Sequence, residues 1–88
     1  MTERHVQIVN KLGLHARPAA EIVKTAANFQ SNITLTRDDL EVNGKSIMGV
    51  MMLAAEFGST VILRADGPDE AEAVEALAAL VASKFRER

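Results

Sequence analysis

The chain predicts a two-layer α/β sandwich of βαββαβα order, with its helices covering one face of the sheet. Three observations carry this. Apolar residues recur at every second position in short segments and at spacings of three and four in the stretches between them. The 88 residues are enough for one hydrophobic core and no more. Cysteine is absent, so apolar packing, rather than disulfides or thiolate-bound zinc, must hold that core.

The first strand is expected over residues 4–9, where Val6 and Ile8 share one face and His5 and Gln7 the other. Gly13 then permits a turn. A helix follows over residues 16–27, with Ala19, Ile22, Val23 and Ala26 on one side and Pro18 in the first turn, where a missing N–H is tolerated. Residues 33–36 alternate again in β-branched company, and Asp38-Asp39 turns the chain into a short strand at residues 40–42. Asn43-Gly44 closes this hairpin, and both residues accept the positive φ that tight turns often need.

Ser46 offers its hydroxyl to the first amides of a short apolar helix over residues 47–53. Residues 60–64 form a fourth strand whose continuous apolar centre predicts a more buried place than the first strand has. The last helix opens at residues 67–70, with Gly67 before Pro68, or Asp69 paired with Glu72, as alternative caps. Val74, Leu77, Ala78, Val81 and Phe85 mark its buried stripe. Glu70, Glu72 and Glu75 lie toward its start and Lys84, Arg86 and Arg88 at its end, each sign opposing the partial charge there.

Composition narrows the function. A net charge of −2, with lysine and arginine dispersed along the chain, argues against nucleic acid as a partner. Three phenylalanines (Phe29, Phe57, Phe85), with no Trp or Tyr, provide no stacking platform for bases or sugars. The apolar runs are far shorter than the ~20 residues that span a bilayer, so no membrane insertion is expected. The chemistry is concentrated in Gly13-Leu14-His15-Ala16-Arg17-Pro18-Ala19, which places an imidazole and a guanidinium at a helix entrance. Free amides there point outward and the helix dipole favours anions. A phosphoryl group on His15 would meet the backbone N–H groups of the first turn and the planar fork of Arg17. Spacing alone fits equally a solvent-facing histidine before a helix and an ordinary surface arginine.

A wider resemblance decides between them. Asn10-Lys11-Leu12-Gly13-Leu14-His15-Ala16-Arg17-Pro18-Ala19 closely resembles the active-site signature of the HPr family, the histidine-containing phosphocarriers of the bacterial phosphoenolpyruvate-dependent phosphotransferase system. Asn43-Gly44-Lys45-Ser46-Ile47-Met48-Gly49-Val50-Met51 resembles the regulatory serine region of the same family, and the likeness runs over residues 1–88 as a single HPr-like domain. It implies an α+β, open-faced sandwich: a four-stranded antiparallel sheet in the order 1-4-2-3 with three helices on one face. It implies that His15 accepts a phosphoryl group on Nδ1 from phosphorylated enzyme I and passes it to a histidine of an enzyme IIA domain. Arg17 would be the phosphoryl ligand, with the amides of Ala16 and Arg17 completing the cradle. No cofactor or metal is expected in the carrier itself. The setting implied is cytoplasmic and the protein monomeric, a covalent intermediate in a relay rather than an enzyme.

Ser46 is expected to cap its helix in any case, and the resemblance adds a regulatory phosphorylation there, with HPr kinase/phosphorylase and a catabolite regulator as further partners. Met48, Met51 and Met52 cannot all point inward from so short a helix. Flexible thioethers suit a surface that meets partners of several shapes, so Met48 and Met51, with Ile47 and Ala20, are expected to form a partner-contact patch. Lys24 and Lys45 are candidates for steering acidic partners. His5, on an alternating strand, reads as a structural or solvent-facing residue.

The chain departs from the family pattern at Ala54-Ala55, where a glycine often follows the short helix, and at Met52, where a smaller or polar residue is frequent. Gly67-Pro68-Asp69-Glu70-Ala71-Glu72-Ala73 is similar to nitrogen-branch relatives and the Lys45 to Met51 segment to sugar-branch and kinase-regulated ones, which leaves both branches open. His15 sets the chain apart from the family's paralogue that has lost the histidine and acts in catabolite regulation alone. A rival reading from another class is a regulatory docking module whose phosphorylation state signals metabolic supply. A small ligand-binding domain is a third, which leaves His15 and Arg17 at a helix mouth unexplained.

Overall fold

The computed structural model describes residues 1–86. Its elements are β1 (Thr2–Gln7), α1 (Ala16–Ala26), β2 (Asn32–Arg37), β3 (Leu40–Asn43), α2 (Ile47–Met52), β4 (Thr60–Asp66) and α3 (Glu70–Ala82), followed by a single 3-10 turn at Lys84–Arg86. The strands form one antiparallel sheet in the order β1-β4-β2-β3, with the three helices on one face. β4 is a central strand, as its apolar run predicts. Val61, Leu63 and Ala65 on β4 turn into the core with Ile33 and Leu35 of β2, and Ile22, Val50, Leu53 and Leu77 close it from the helical side.

The other face of the sheet is open, and its alternate residues carry charge. Glu3 lies opposite Arg64 in the β1–β4 register. The Arg64 guanidinium donates to Glu3 Oε1 at 3.0 and 2.8 Å and to Glu41 Oε2 at 3.4 Å, bridging both edge strands across β4. Arg64, with His5 second, holds the Glu3 carboxyl below its ordinary range. These exposed pairs contribute little to stability, so register is set by the buried face.

Several local expectations are corrected. β1 begins at Thr2 and ends at Gln7, so Ile8 is buried just beyond the strand, its N–H donating to the Ser59 carbonyl. Gly44 does not carry a positive φ: it is needed because a Cβ there would stand 2.7 Å from Ile33 Cγ2 and 2.9 Å from Leu35 Cδ1. The left-handed residue of the hairpin is Asp38, at φ 54°.

α3 stops at Ala82, short of Phe85. Ser83 Oγ donates back to the Leu80 carbonyl at 2.8 Å, and Lys84 and Phe85 take φ near 57° and 56°, folding the Phe85 ring into the core by a reversal of the chain. No basic residue occupies the last turn of α3, and Arg88 lies outside the described residues.

Of the two expected α3 caps, Asp69 holds the position but not the side-chain bond. Asp69 stands at the cap position, but its carboxylate leaves the helix and accepts from the N–H groups of Gln30 and Ser31 at 2.8 and 2.9 Å and from Ser31 Oγ at 2.5 Å. Glu70 instead accepts from the Gly67 N–H at 3.3 Å.

Candidate functional site

His15 is the cap residue of α1, in extended backbone at φ −81° and ψ −172°. Its N–H donates to the Gly13 carbonyl at 3.0 Å and its own carbonyl accepts from Ala19 at 3.0 Å. The Gly13 carbonyl also accepts from the Nδ2 group of buried Asn10 at 2.8 Å, and the Leu14 N–H donates to the Ala55 carbonyl at 2.8 Å. The loop before His15 is therefore held by main-chain bonds together with the Asn10 side chain. Gly13 sits at φ +67°, and a Cβ there would fall 2.5 Å from the Ala55 oxygen. Only a residue without a side chain lets the two loops approach so closely.

The helix start has few donors left over. Pro18 has no N–H, and that of Ala19 is taken by His15, which leaves the amides of Ala16 and Arg17 without intrahelical partners. Both residues are exposed and His15 is half-buried. No acidic side chain occupies the first turn of α1 to compete for those donors. The arrangement places a half-buried histidine, two amides without intrahelical partners and an exposed arginine at one helix end, a donor set suited to a tetrahedral anion.

α2 packs beside α1. Ser46 accepts the Gly49 N–H on Oγ at 3.1 Å, the predicted cap. Val50 and Leu53 anchor the helix in the core, whereas Ile47, Met48, Met51 and Met52 all face outward, Met48 and Met52 being 70% and 65% exposed. Ala20 and Lys24 are exposed on α1. Lys45 is half-buried, and its ammonium donates to the Phe29 carbonyl at 2.7 Å, a neutral acceptor that leaves its charge in place. His5 lies on the open face of β1 with Nε2 3.1 Å from Glu3 Oε2. A shallow hollow of about 390 Å³ beside β2 and β3 is lined by Lys45 but by none of the His15 site residues.

Asn10 and the Ala55 carbonyl were not singled out by residue type, although both hold the His15 loop. Asparagine is a turn-favouring residue, a signal that could have found the first. A main-chain acceptor has no side-chain signature at all.

A family model described as the PTS HPr component phosphorylation site matches residues 2–83. The chain belongs to the HPr family. Among HPr relatives, the phosphocarrier protein HPr of Cupriavidus necator is 55% identical over 87 residues, spanning 99% of this chain and 98% of that protein. The HPr-like protein Crh of Bacillus subtilis is 49% identical over 81 residues, spanning 92% and 95%. The crystal structure of HPr-C-His from Thermoanaerobacter tengcongensis superposes with a TM-score of 0.96 at 51% identity, covering 100% of this chain and 99% of that one. The open-faced sandwich is thus the HPr fold, and no helix among the described residues is long and apolar enough to cross a membrane.

Proposed function

We propose that this protein is a phosphocarrier of the phosphotransferase system, a covalent intermediate rather than an enzyme with turnover of its own. The Nδ1 lone pair of His15 forms an N–P bond as the bond between phosphorus and enzyme I breaks. The same group then leaves for a histidine of an enzyme IIA domain. Amides of Ala16 and Arg17 and the Arg17 guanidinium hold the phosphoryl oxygens, and the exposed apolar residues of α2, with Ala20 and Lys24, meet the partner. The observation that carries this reading is the open donor set at the α1 start, directly beside His15, in a chain of the HPr family. The carrier acts as a cytoplasmic monomer, which keeps this face free for successive partners.

Ser46 serves as a regulatory site on the same reading. Its half-buried hydroxyl lies at the α2 start, where a phosphate is electrostatically tolerated and its charge of about −1.5 to −2 lies beside the apolar docking residues.

The test is intact mass after incubation with phosphoenolpyruvate, magnesium and enzyme I. One acid-labile phosphate on the natural chain and on Ser46→Ala, missing from His15→Ala, is the expected result. An unmodified natural chain, beside a control carrier that is phosphorylated, overturns it.

The rival reading is a docking module whose phosphorylation state signals metabolic supply without phosphate being passed onward. Failure of phosphorylated protein to transfer its group to any IIA domain would select that reading.

A further inference from the structure

The composition of the α2 surface is more specific than docking requires. Leucine or isoleucine would supply equal apolar area, yet three of the four exposed apolar residues there, Met48, Met51 and Met52, carry thioether sulfurs. Susceptibility of methionine to oxidation follows exposure, and exposures of 70%, 42% and 65% leave these side chains open to small oxidants in solution. Val50 and Leu53 supply the core contacts of the helix, so chemistry on the outer sulfurs need not disturb the fold.

We propose that Met48, Met51 and Met52 form a reversible oxidation site for peroxides, which lowers partner docking without unfolding the carrier. In each event the peroxide O–O bond breaks and one oxygen bonds to Sδ. The sulfur loses two electrons and the peroxide is reduced to water or an alcohol. Reversal consumes two thiols, which become a disulfide, and releases the oxygen as water. The sulfoxide is a strong, polar acceptor where an apolar side chain stood, and docking must then bury it without an assigned donor. The regulatory part rests on α2 being the docking face of the proposed carrier.

Met1 supplies an internal comparison: it is 74% exposed but stands at the other end of β1 from the His15 loop, with its ammonium 2.9 Å from Glu70. The protein is treated with dilute hydrogen peroxide, sulfoxides are located by peptide mass mapping, and phosphoryl acceptance from enzyme I is measured. For the natural chain and for the triple variant Met48→Leu, Met51→Leu, Met52→Leu, each treated rate is divided by that protein's own untreated rate. The natural chain is expected to gain oxygen on α2, keep its far-ultraviolet dichroism and lose roughly tenfold in kcat/KM, with recovery after methionine sulfoxide reductase and dithiothreitol. The triple variant is expected to keep a ratio near one although Met1 is oxidised.

Oxidation of Met1 without oxidation on α2 overturns the site. Mapped α2 sulfoxides with an unchanged rate, or an equal loss in the triple variant, overturn the regulatory effect. Absence of acceptance before any peroxide overturns the carrier reading and its regulation together, while the sulfoxide map still decides the modification site.

Discussion

The Ala55 carbonyl accepts the N–H of Leu14 at 2.8 Å, one residue before His15. This bond ties the loop carrying the imidazole to the segment that leaves α2, so changes in that segment reach the site through the backbone.

Gly13→Ala should expose the tightness of the junction. The residue would have to hold φ +67° with its Cβ 2.5 Å from the Ala55 oxygen. A loss of about 2–4 kcal/mol is expected from backbone strain and overpacking. Urea unfolding measures it, and phosphorylation of His15 should fall with it. A stability within experimental error of the natural chain would show that the loops separate freely.

Ala54→Gly should act in the opposite direction. Ala54 holds φ +50°, a left-handed conformation that L side chains resist, just before Ala55, whose carbonyl accepts from Leu14. Relief of that strain outweighs the added freedom of the unfolded chain, giving about 0.5–1 kcal/mol of stabilisation. A midpoint in urea that drops instead of rising would refute this.

Ser46→Ala removes the acceptor of the Gly49 N–H, bonded at 3.1 Å. About 1 kcal/mol should be lost, which for a domain of this size lowers Tm by roughly 4–8 °C. Ser46→Asp keeps an acceptor at the same place and should recover most of that loss while slowing phosphoryl acceptance from enzyme I. Thermal unfolding and a transfer assay together separate the cap from the charge.

Acid stability should depend on Glu70. Its carboxylate accepts from the Thr2 hydroxyl at 2.6 Å, pairs with the Met1 ammonium at 2.9 Å and accepts from the Gly67 N–H, and these contacts lower its pKa from 4.5 to about 2. Between those values the unfolded chain binds more protons than the folded one, so stability falls as pH falls. The contribution is complete above 4.5 and fades toward 2. Glu70→Gln should be less stable at neutral pH and show a shallower decline of Tm through that window; an unchanged slope would mean the contacts do not persist in solution.

Legibility in the sequence follows the range of the interaction. Periodicity located all four strands and three helices because burial repeats along each element, and Ser46 was readable because a cap bonds three residues away. Strand order came from family resemblance, since alternation says nothing about neighbours. The place of Asp69 at the α3 start is legible but its bond is not, because a carboxylate before a helix has the same local pattern whether it caps the helix or reaches Ser31, 38 positions away in the chain. Phe85 kept the apolar rhythm of α3 after the helix had ended, so its burial was foreseen and its backbone was not. At the site, His15, Ala16 and Arg17 open α1 and Ser46 caps α2, positions that local pattern carries, whereas the Ala55 carbonyl belongs to no residue type and the bond from Lys45 to the Phe29 carbonyl spans 16 positions.

The bonds that hold the His15 loop include main-chain ones from Gly13, Leu14, Ala19 and Ala55 and one from the Asn10 side chain, whereas the side chains exposed on α2 lie on a separate element. Position and address are therefore encoded separately. If α2 is the docking face proposed above, its outward side chains can change, and the partner with them, while the imidazole stays where it is.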